Sequence, residues 1–324
     1  KYADYRIVVL DKLTYAGRLE NLAALDGHSR FQFVRGDICD IDAVRSAVRD
    51  HAIDTIVNFA AETHVDQSIM NPFVFSETNV RGTHVLLEVA RQEKLERYHQ
   101  ISTDEVYGSL SADAPAFSET HPYEPNSPYS ASKAAADHLA LAWHRTYGLP
   151  VVVSNCSNNY GPFHFPEKLV PLIILNALHG KPLPVYGDGL NVRDWLYVED
   201  HARALHLIGS QGQLGQKYNV GGRNERSNID VVRQICAILD ELRPAGSPHD
   251  RLITFVRDRP GHDQRYAIDA TRLETELGWR AENDFKRGLR ATVMWYLANE
   301  WWWRPLRDNG YAGERLGILD EARG

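Results

Sequence analysis

The sequence predicts an α/β fold: a doubly wound parallel sheet joined to a smaller, mixed α/β C-terminal domain. Three observations predict it. Short runs that read as strands, at residues 6–10, 31–35, 55–61, 97–101 and 151–154, alternate with helical stretches. Asp, Thr and small residues gather at the C-terminal ends of those runs, where ligands sit on such sheets. After Asn155 the character changes to a loop- and proline-rich region. The expected boundaries are 1–158 plus about 192–214 for the first domain, and 159–191 plus 215–324 for the second.

In chain order, the run at 6–10 ends in Asp11, an acid placed to meet the ribose hydroxyls of a dinucleotide or to cap the next turn. The strand at 31–35 ends at Gly36, Asp37 and Ile38, where Asp37 either caps the helix beginning near Ile41 or reaches an adenine. The run at 55–61 ends in Ala60 and Ala61, small enough to let a flat cofactor approach the backbone. His64 and Asp66 follow; two such residues with no third ligand read as loop hydrogen bonding, and no metal is expected. A helix is expected from about Phe73, a strand over 97–101 and another over 151–154. Lys168 and Leu169 open a further helix, residues 184–195 read as turn-rich, and residues 197–200 start the next helix. Three arginines, Arg257, Arg259 and Arg265, share one Pro/Gly loop and suggest a pyrophosphate contact. The aromatic run Trp301 to Trp303 reads as packing, with no chemistry.

Composition narrows the function. The chain has 324 residues, 43% of them apolar and 24% charged, enough to bury two lobes. A net charge of -7 argues against nucleic acid or an anionic membrane as partner. Three cysteines, Cys39, Cys156 and Cys236, with no C-x-x-C spacing, give neither a disulfide framework nor a zinc site and point to a reducing cytoplasm. No apolar run reaches the ~18 residues of a membrane span, and no signal peptide is visible.

Two stretches carry the chemistry. Ser102, Thr103, Asp104 and Glu105 put an alcohol and two carboxyls side by side at the end of a central strand. Neighbouring carboxyls in one site separate their pKa values, one protonated and one ionised, as an elimination requires. Tyr129 and Lys133 stand four apart in a helix that follows the start signal Pro125 to Pro128, so both lie on one face. A neighbouring ammonium lowers a phenol toward use as a base near neutrality.

With these residues assembled, the chain resembles the nucleotide-sugar branch of the extended short-chain dehydrogenases, from about Val8 to about Thr292. The marks are the runs Asp11 to Gly17, Ala60 to Asp66, Ser102 to Gly108, Tyr129 to Lys133, Asn158 to Pro162 and Arg259 to Asp263. The Thr-Asp-Glu triplet points to members that dehydrate the sugar. The resemblance implies a Rossmann-type sheet, bound NAD, a dTDP-sugar substrate and a homodimer, with no nucleic acid or membrane partner. It implies that Tyr129 takes the sugar O4 proton as hydride leaves C4, and that Lys133 holds the nicotinamide ribose. Glu105 is then the base at C5, Asp104 the acid for the departing C6 hydroxyl, and Thr103 a hydrogen-bond partner of O4. Implied cofactor contacts are Asp11, Lys12, Leu13 and Thr14, then Asp37 and Ile38, then Phe59, Ala60, Ala61 and Thr63, with Thr78, Tyr129, Lys133 and Asn159. Implied substrate contacts are Thr63, Thr103, Asn158, Lys168 and Leu169, then Pro184, Val185, Tyr186, Arg193 and Asn228, then Asp258, Arg259 and His262. Thymine against uracil in the nucleotide stays open. A nucleotide-sugar 4-epimerase, which needs no carboxyl pair, is the alternative enzyme, and a non-catalytic nucleotide-sugar binder the alternative class.

The family opens with a strand and a G-x-x-G-x-x-G loop that cradles pyrophosphate at a helix N-terminus. Here ten residues without glycine precede Asp11. The expectation is that the natural protein carries about twenty to thirty further residues before Lys1, with a glycine-rich turn between a strand and a helix.

Overall fold

The computed structural model describes residues 5–308. β1 (Ile7–Asp11) and β2 (Phe31–Arg35) are rich in β-branched and aromatic residues and pair in parallel. α1 (Ile41–Asp50) follows and is capped by Asp40, whose side chain accepts from the Asp42 and Ala43 amides. Asp37, expected as a possible cap, is instead tied to its own loop: it accepts from the Cys39 amide at 2.9 Å and pairs with Lys12 at 2.6 Å.

β3 (Thr55–Asn58) stops short of the expected end at Ala61. Its ladder with the next strand closes at Asn58, whose amide turns sideways to Thr83 and Gln100, at 3.2 and 3.1 Å. The helix expected from Phe73 is composite: α2 (Val65–Met70), α3 (Pro72–Phe75), a π-helical stretch over Ser76–Gly82, then α4 (Thr83–Gln92). The widened turn brings Asn79 inward. Gly82 is needed there, because a Cβ would stand 2.4 Å from the Ile38 side chain.

β4 (Arg97–Thr103) runs past its expected end and stays buried, because it is the inner strand between β3 and β5 (Val151–Cys156). The long helix between them is α5 (Pro128–Tyr147); Pro128 holds its first turn and Ser127 and Ser130 form a reciprocal capping box. Then come β6 (Asn158–Tyr160), α6 (Leu169–Leu178), β7 (Leu183–Tyr186), β8 (Val192–Tyr197) and α7 (Val198–Gln211). The region expected to be turn-rich therefore holds two strands, β7 and β8, both nearly fully buried. The chain continues through β9 (Lys217–Val220), β10 (Glu225–Ser227), α8 (Asn228–Leu242), β11 (Ile253–Val256), α9 (Thr271–Leu277), α10 (Phe285–Ala298) and α11 (Glu300–Asp308).

The sheet orders are β3-β4-β5-β9 and β1-β2, all parallel, with β10-β8-β6 and β11-β7 farther along. Among the described residues β1 pairs only with β2, and β3 only with β4. One face of the parallel sheet is covered by α1, α4 and α5, around Leu87, Tyr98, Val151 and Val153. The other is covered by α7 and α9, where Ala204, Ile208 and Leu273 meet Val152 and Val220. This is a Rossmann-like, doubly wound α/β fold.

The expected domain boundaries need one correction. Residues 217–220 were assigned to the second domain, yet β9 pairs with β5 and is the fourth strand of the parallel sheet. A parallel partner supplied after a long excursion leaves no local trace in a four-residue run. A separate core lies between α6, α8 and α10, around Ile173, Val232, Leu289 and Trp302. Trp302 and Trp303 are buried in it, and the Trp302 indole donates to Asn21 at 2.6 Å. The expected strand and glycine loop ahead of Lys1 lie outside the described residues.

Candidate active site

The acid-base turn begins where β4 ends. Thr103 caps a single 3-10 turn over Asp104–Tyr107, its hydroxyl accepting from the Glu105 amide at 3.3 Å. Gly108 closes the turn with φ 88°, and a Cβ there would stand 2.4 Å from the Glu124 carbonyl oxygen. The two carboxyls are thereby placed by backbone geometry.

Their surroundings differ. Asp104 is almost fully buried and one of its oxygens has no protein partner. Burial first, then Glu105 and Asp194, hold its pKa well above the usual carboxylate range. Burial also raises Glu105, but Arg259, Arg193 and Lys168 oppose it there. Cations therefore limit at Glu105 the rise that neighbouring carboxyls add to at Asp104.

α5 presents Tyr129 and Lys133 on one face, both buried. The sequence suggests that Lys133 lowers the Tyr129 phenol. In the protein without its cofactor, burial first, then Glu105, push Tyr129 well above its ordinary value. Lys133 donates to the Ile101 carbonyl at 2.7 Å, and burial lowers its own pKa. The Tyr129 ring packs edge-on to Phe75 and beside Val65. Asn79 ties this helix to the loop after β3, donating to Ser132 Oγ at 2.8 Å and to the Glu62 carbonyl at 3.0 Å.

A cavity opens beside Glu105. Eleven expected substrate contacts line it: Thr63, Asn158, Lys168, Leu169, Pro184, Val185, Tyr186, Arg193, Asn228, Arg259 and His262. Thr103 and Asp258 do not. Thr103 lies just beneath, at the strand end, and Asp258 stands behind His262, accepting from its Nδ1 at 2.6 Å. Of the three arginines in the 257–265 loop, only Arg259 lines the cavity. Arg265 turns away to a two-point pair with Glu225, at 2.7 and 3.1 Å. Arg193, far off in sequence, takes its place, buried and donating to the Asp263 carbonyl at 2.9 Å.

Sequence reasoning missed Glu167 and Trp195, and saw Asp66 only as a doubtful metal ligand. Asp66 is a buried acceptor for the Tyr186 hydroxyl at 2.6 Å and for Arg259 at 3.3 Å. His64 caps α2 by accepting from the Gln67 amide. Glu167, buried, accepts from the Tyr15 hydroxyl at 2.8 Å. Its position beside Lys168 at a helix start was the available signal; the bond to Tyr15 had none.

The expected cofactor contacts gather at the strand ends. Asp11 accepts from the Leu13 amide at 2.6 Å, holding Leu13 at φ 56°, and Gly17 folds back to bond the Thr14 carbonyl. Ile38 is buried, Phe59 is 61% exposed, Ala60 and Ala61 are half-buried in the loop after β3, and Thr78 lies in the π-helical stretch. Asn159 Oδ1 and Asn158 Oδ1 are buried without protein partners, where β5 passes into β6. Unpartnered polar atoms at the open ends of parallel strands, with Asp11 and Asp37 at one end and Tyr129 and Lys133 at the other, fit a dinucleotide. Among the described residues no group of side chains is arranged to hold a metal ion, and no helix is long and apolar enough to cross a membrane.

The family model for GDP-mannose 4,6 dehydratase matches residues 1–292. A probable dTDP-glucose 4,6-dehydratase of Sinorhizobium fredii is 60% identical, the match covering 98% of this chain and 93% of that protein. A dTDP-glucose 4,6-dehydratase of Escherichia coli is 53% identical over 97% of this chain and 92% of its own. The crystal structure of the Streptomyces venezuelae dTDP-glucose 4,6-dehydratase with NAD and TYD bound superposes with a TM-score of 0.88, at 46% identity, covering 94% of this chain and 91% of that one. On fold, site and end-to-end similarity alike, the chain belongs to the nucleotide-sugar 4,6-dehydratases of the extended short-chain dehydrogenase family.

Proposed function

We infer that the chain catalyses the NAD-dependent loss of water from dTDP-glucose, giving dTDP-4-keto-6-deoxyglucose. One observation carries the reading: two adjacent carboxyls with opposite surroundings, Asp104 facing carboxyls and Glu105 facing cations. NAD, held by Asp11 and Asp37 at the β1 and β2 ends and by Tyr129, Lys133 and Asn159 at the other, takes hydride from sugar C4 and returns it to C6.

Tyr129 accepts the O4 proton, with Thr103 hydrogen-bonding the same oxygen. The cost of forming a buried phenolate falls on Lys133 and on the cationic ring of the cofactor. The 4-ketone acidifies C5, and Glu105 removes its proton and returns it to C5 once hydride has reached C6. Asp104, kept protonated, gives its proton to the leaving C6 hydroxyl. Arg259 and Arg193 supply the cationic wall for the nucleotide's pyrophosphate, and Lys168 lies beside Glu105.

A homodimer is part of the same proposal. Met70, Phe73 and Val74 are 53%, 84% and 40% exposed along one short helical run. That apolar face, flanking α5, suits a second copy.

The test uses dTDP-glucose carrying deuterium at C4, in ordinary water. The product should be lighter by one water and carry the label at C6. A product of unchanged sugar composition inverted at C4 would sink the dehydratase reading in favour of epimerisation.

A further inference from the structure

Lys133 poses a problem the site residues do not solve. It is 5% exposed, its Nζ is spent on the Ile101 carbonyl, and burial favours the neutral amine. A buried ammonium persists only with a countercharge. Asp104 does not supply one, since burial and neighbouring carboxyls favour its protonated form. Glu105 is already faced by Arg259, Arg193 and Lys168. The Cys156 thiol, pushed up to about 12 mainly by burial, is uncharged near neutrality.

That leaves Asp137. It lies one turn beyond Lys133 on α5, on the same face, and is fully buried. Its Oδ2 accepts from the Tyr123 hydroxyl at 2.9 Å and from the Asn155 amide at 3.2 Å. Its Oδ1 and the nearby Ser102 Oγ are both buried without another partner, so rotation of one hydroxyl joins them. Three neutral donors converging on a buried carboxyl stabilise its anion. The Asn155 amide also reaches the Thr103 carbonyl at 3.2 Å, linking the group to the acid-base turn. The other groups facing Asp137 are Lys217 from β9, over the Tyr123 ring at 4.3 Å, and the Tyr98, Tyr107 and Tyr123 phenols, all held neutral by burial. Burial raises Asp137 and Lys133 opposes that rise first among its neighbours, while Asp137 is the first group to oppose the fall of Lys133. Each opposes the burial that would neutralise the other.

We propose that Asp137 is a positioning residue for the hydride step: it is the buried countercharge that keeps Lys133 an ammonium, and through Asn155 it steadies Thr103. The proposal rests on the reading of Tyr129 and Lys133 given above.

The experiment compares the parent, Asp137→Asn, Lys133→Met and the double variant, each with cofactor bound. Lysine is isotope-labelled, and the Lys133 NMR signal is assigned by its loss in Lys133→Met. Without the countercharge, the ammonium is lost at lower pH. In Asp137→Asn the Lys133 titration midpoint, and with it the alkaline limb of kcat/KM, should fall by about one pH unit or more. Adding Asp137→Asn to Lys133→Met should move no limb. A Lys133 midpoint that stays put in folded Asp137→Asn, or an activity loss uniform across pH, overturns the proposal. Lys133→Met turning over at the parent rate would instead sink the underlying catalytic reading. If Asp137→Asn does not fold, Tyr123→Phe serves: with one donor gone the Asp137 carboxyl titrates higher, so the acid limb should rise, and an unmoved limb counts against the proposal.

Discussion

Two charged stretches meet at the cavity. In the 103–105 turn, Asp104 and Glu105 are adjacent, and the cap by Thr103 and the closing Gly108 leave the backbone little choice of path. In the 257–265 loop, three arginines stand within nine residues, and the fold parts them: Arg259 to the cavity, Arg265 to Glu225. The first stretch acts through what its own few residues fix. The second acts through partners brought from elsewhere, Asp66 and Tyr186 for Arg259, and Arg193 as a second cation. Adjacency in sequence predicts a shared site when a local backbone motif holds it, and predicts little in a loop whose side chains choose distant partners.

The comparison breaks most visibly at Glu105. Glu105→Gln removes the base at C5 and should cut overall turnover by roughly 10²–10⁴-fold. Oxidation at C4 should survive, so rapid mixing with dTDP-glucose should show reduced nicotinamide accumulating. Turnover at the parent rate would mean that the turn does not hold the base.

Arg259→Ala comes next. It removes a charged donor from the cavity wall and should raise KM for dTDP-glucose roughly ten- to a hundredfold, with a smaller change in kcat. An unaltered KM would deny the loop its part in binding.

Asp104→Asn tests the asymmetry inside the turn through stability. The folded-state pKa of Asp104 is raised, so its stabilising contribution is complete below the unfolded value, 3.8, and is lost as pH rises through the folded one. Asp104→Asn removes that loss. The variant should therefore melt higher than the parent at neutral pH, with the advantage disappearing as pH falls below 3.8, while turnover collapses. A variant that melts lower at neutral pH would show that Asp104 is ionised and stabilised as such.

The smallest effect is expected at Arg265→Ala. Its pair with Glu225 is partly exposed, but its guanidinium also donates to the Ala114 carbonyl at 2.7 Å, so about 1–3 kcal/mol of stability should be lost with KM unchanged. Equal KM effects from Arg259→Ala and Arg265→Ala would erase the distinction between the two arginines.

Much of this molecule was legible before its structure. The runs read as strands at 6–10, 31–35, 97–101 and 151–154 do form strands, at Ile7–Asp11, Phe31–Arg35, Arg97–Thr103 and Val151–Cys156, because β-branched and aromatic residues recur along them. Ser127 and Pro128 start α5 by short-range capping, and the four-residue spacing then puts Tyr129 and Lys133 on one face. Thr103, Asp104 and Glu105 form a turn whose conformation their own backbone decides. Periods, caps and turns depend on neighbours within about five residues, and the chain alone states those.

Only the tertiary structure decided the rest. It ended β3 at Asn58, where a side chain bonds to Thr83 and Gln100. It recruited β9 into the parallel sheet after a long excursion, and made strands of the stretch that reads as turns. It turned Arg265 of the arginine loop away from the cavity to Glu225, and set Asp66 and Glu167 against Tyr186 and Tyr15. It also set the burial that raises Tyr129, because the burial of a phenol is the sum of everything packed around it. Residues far apart in sequence settle which side chain is buried beside which charge, and no local pattern records that choice.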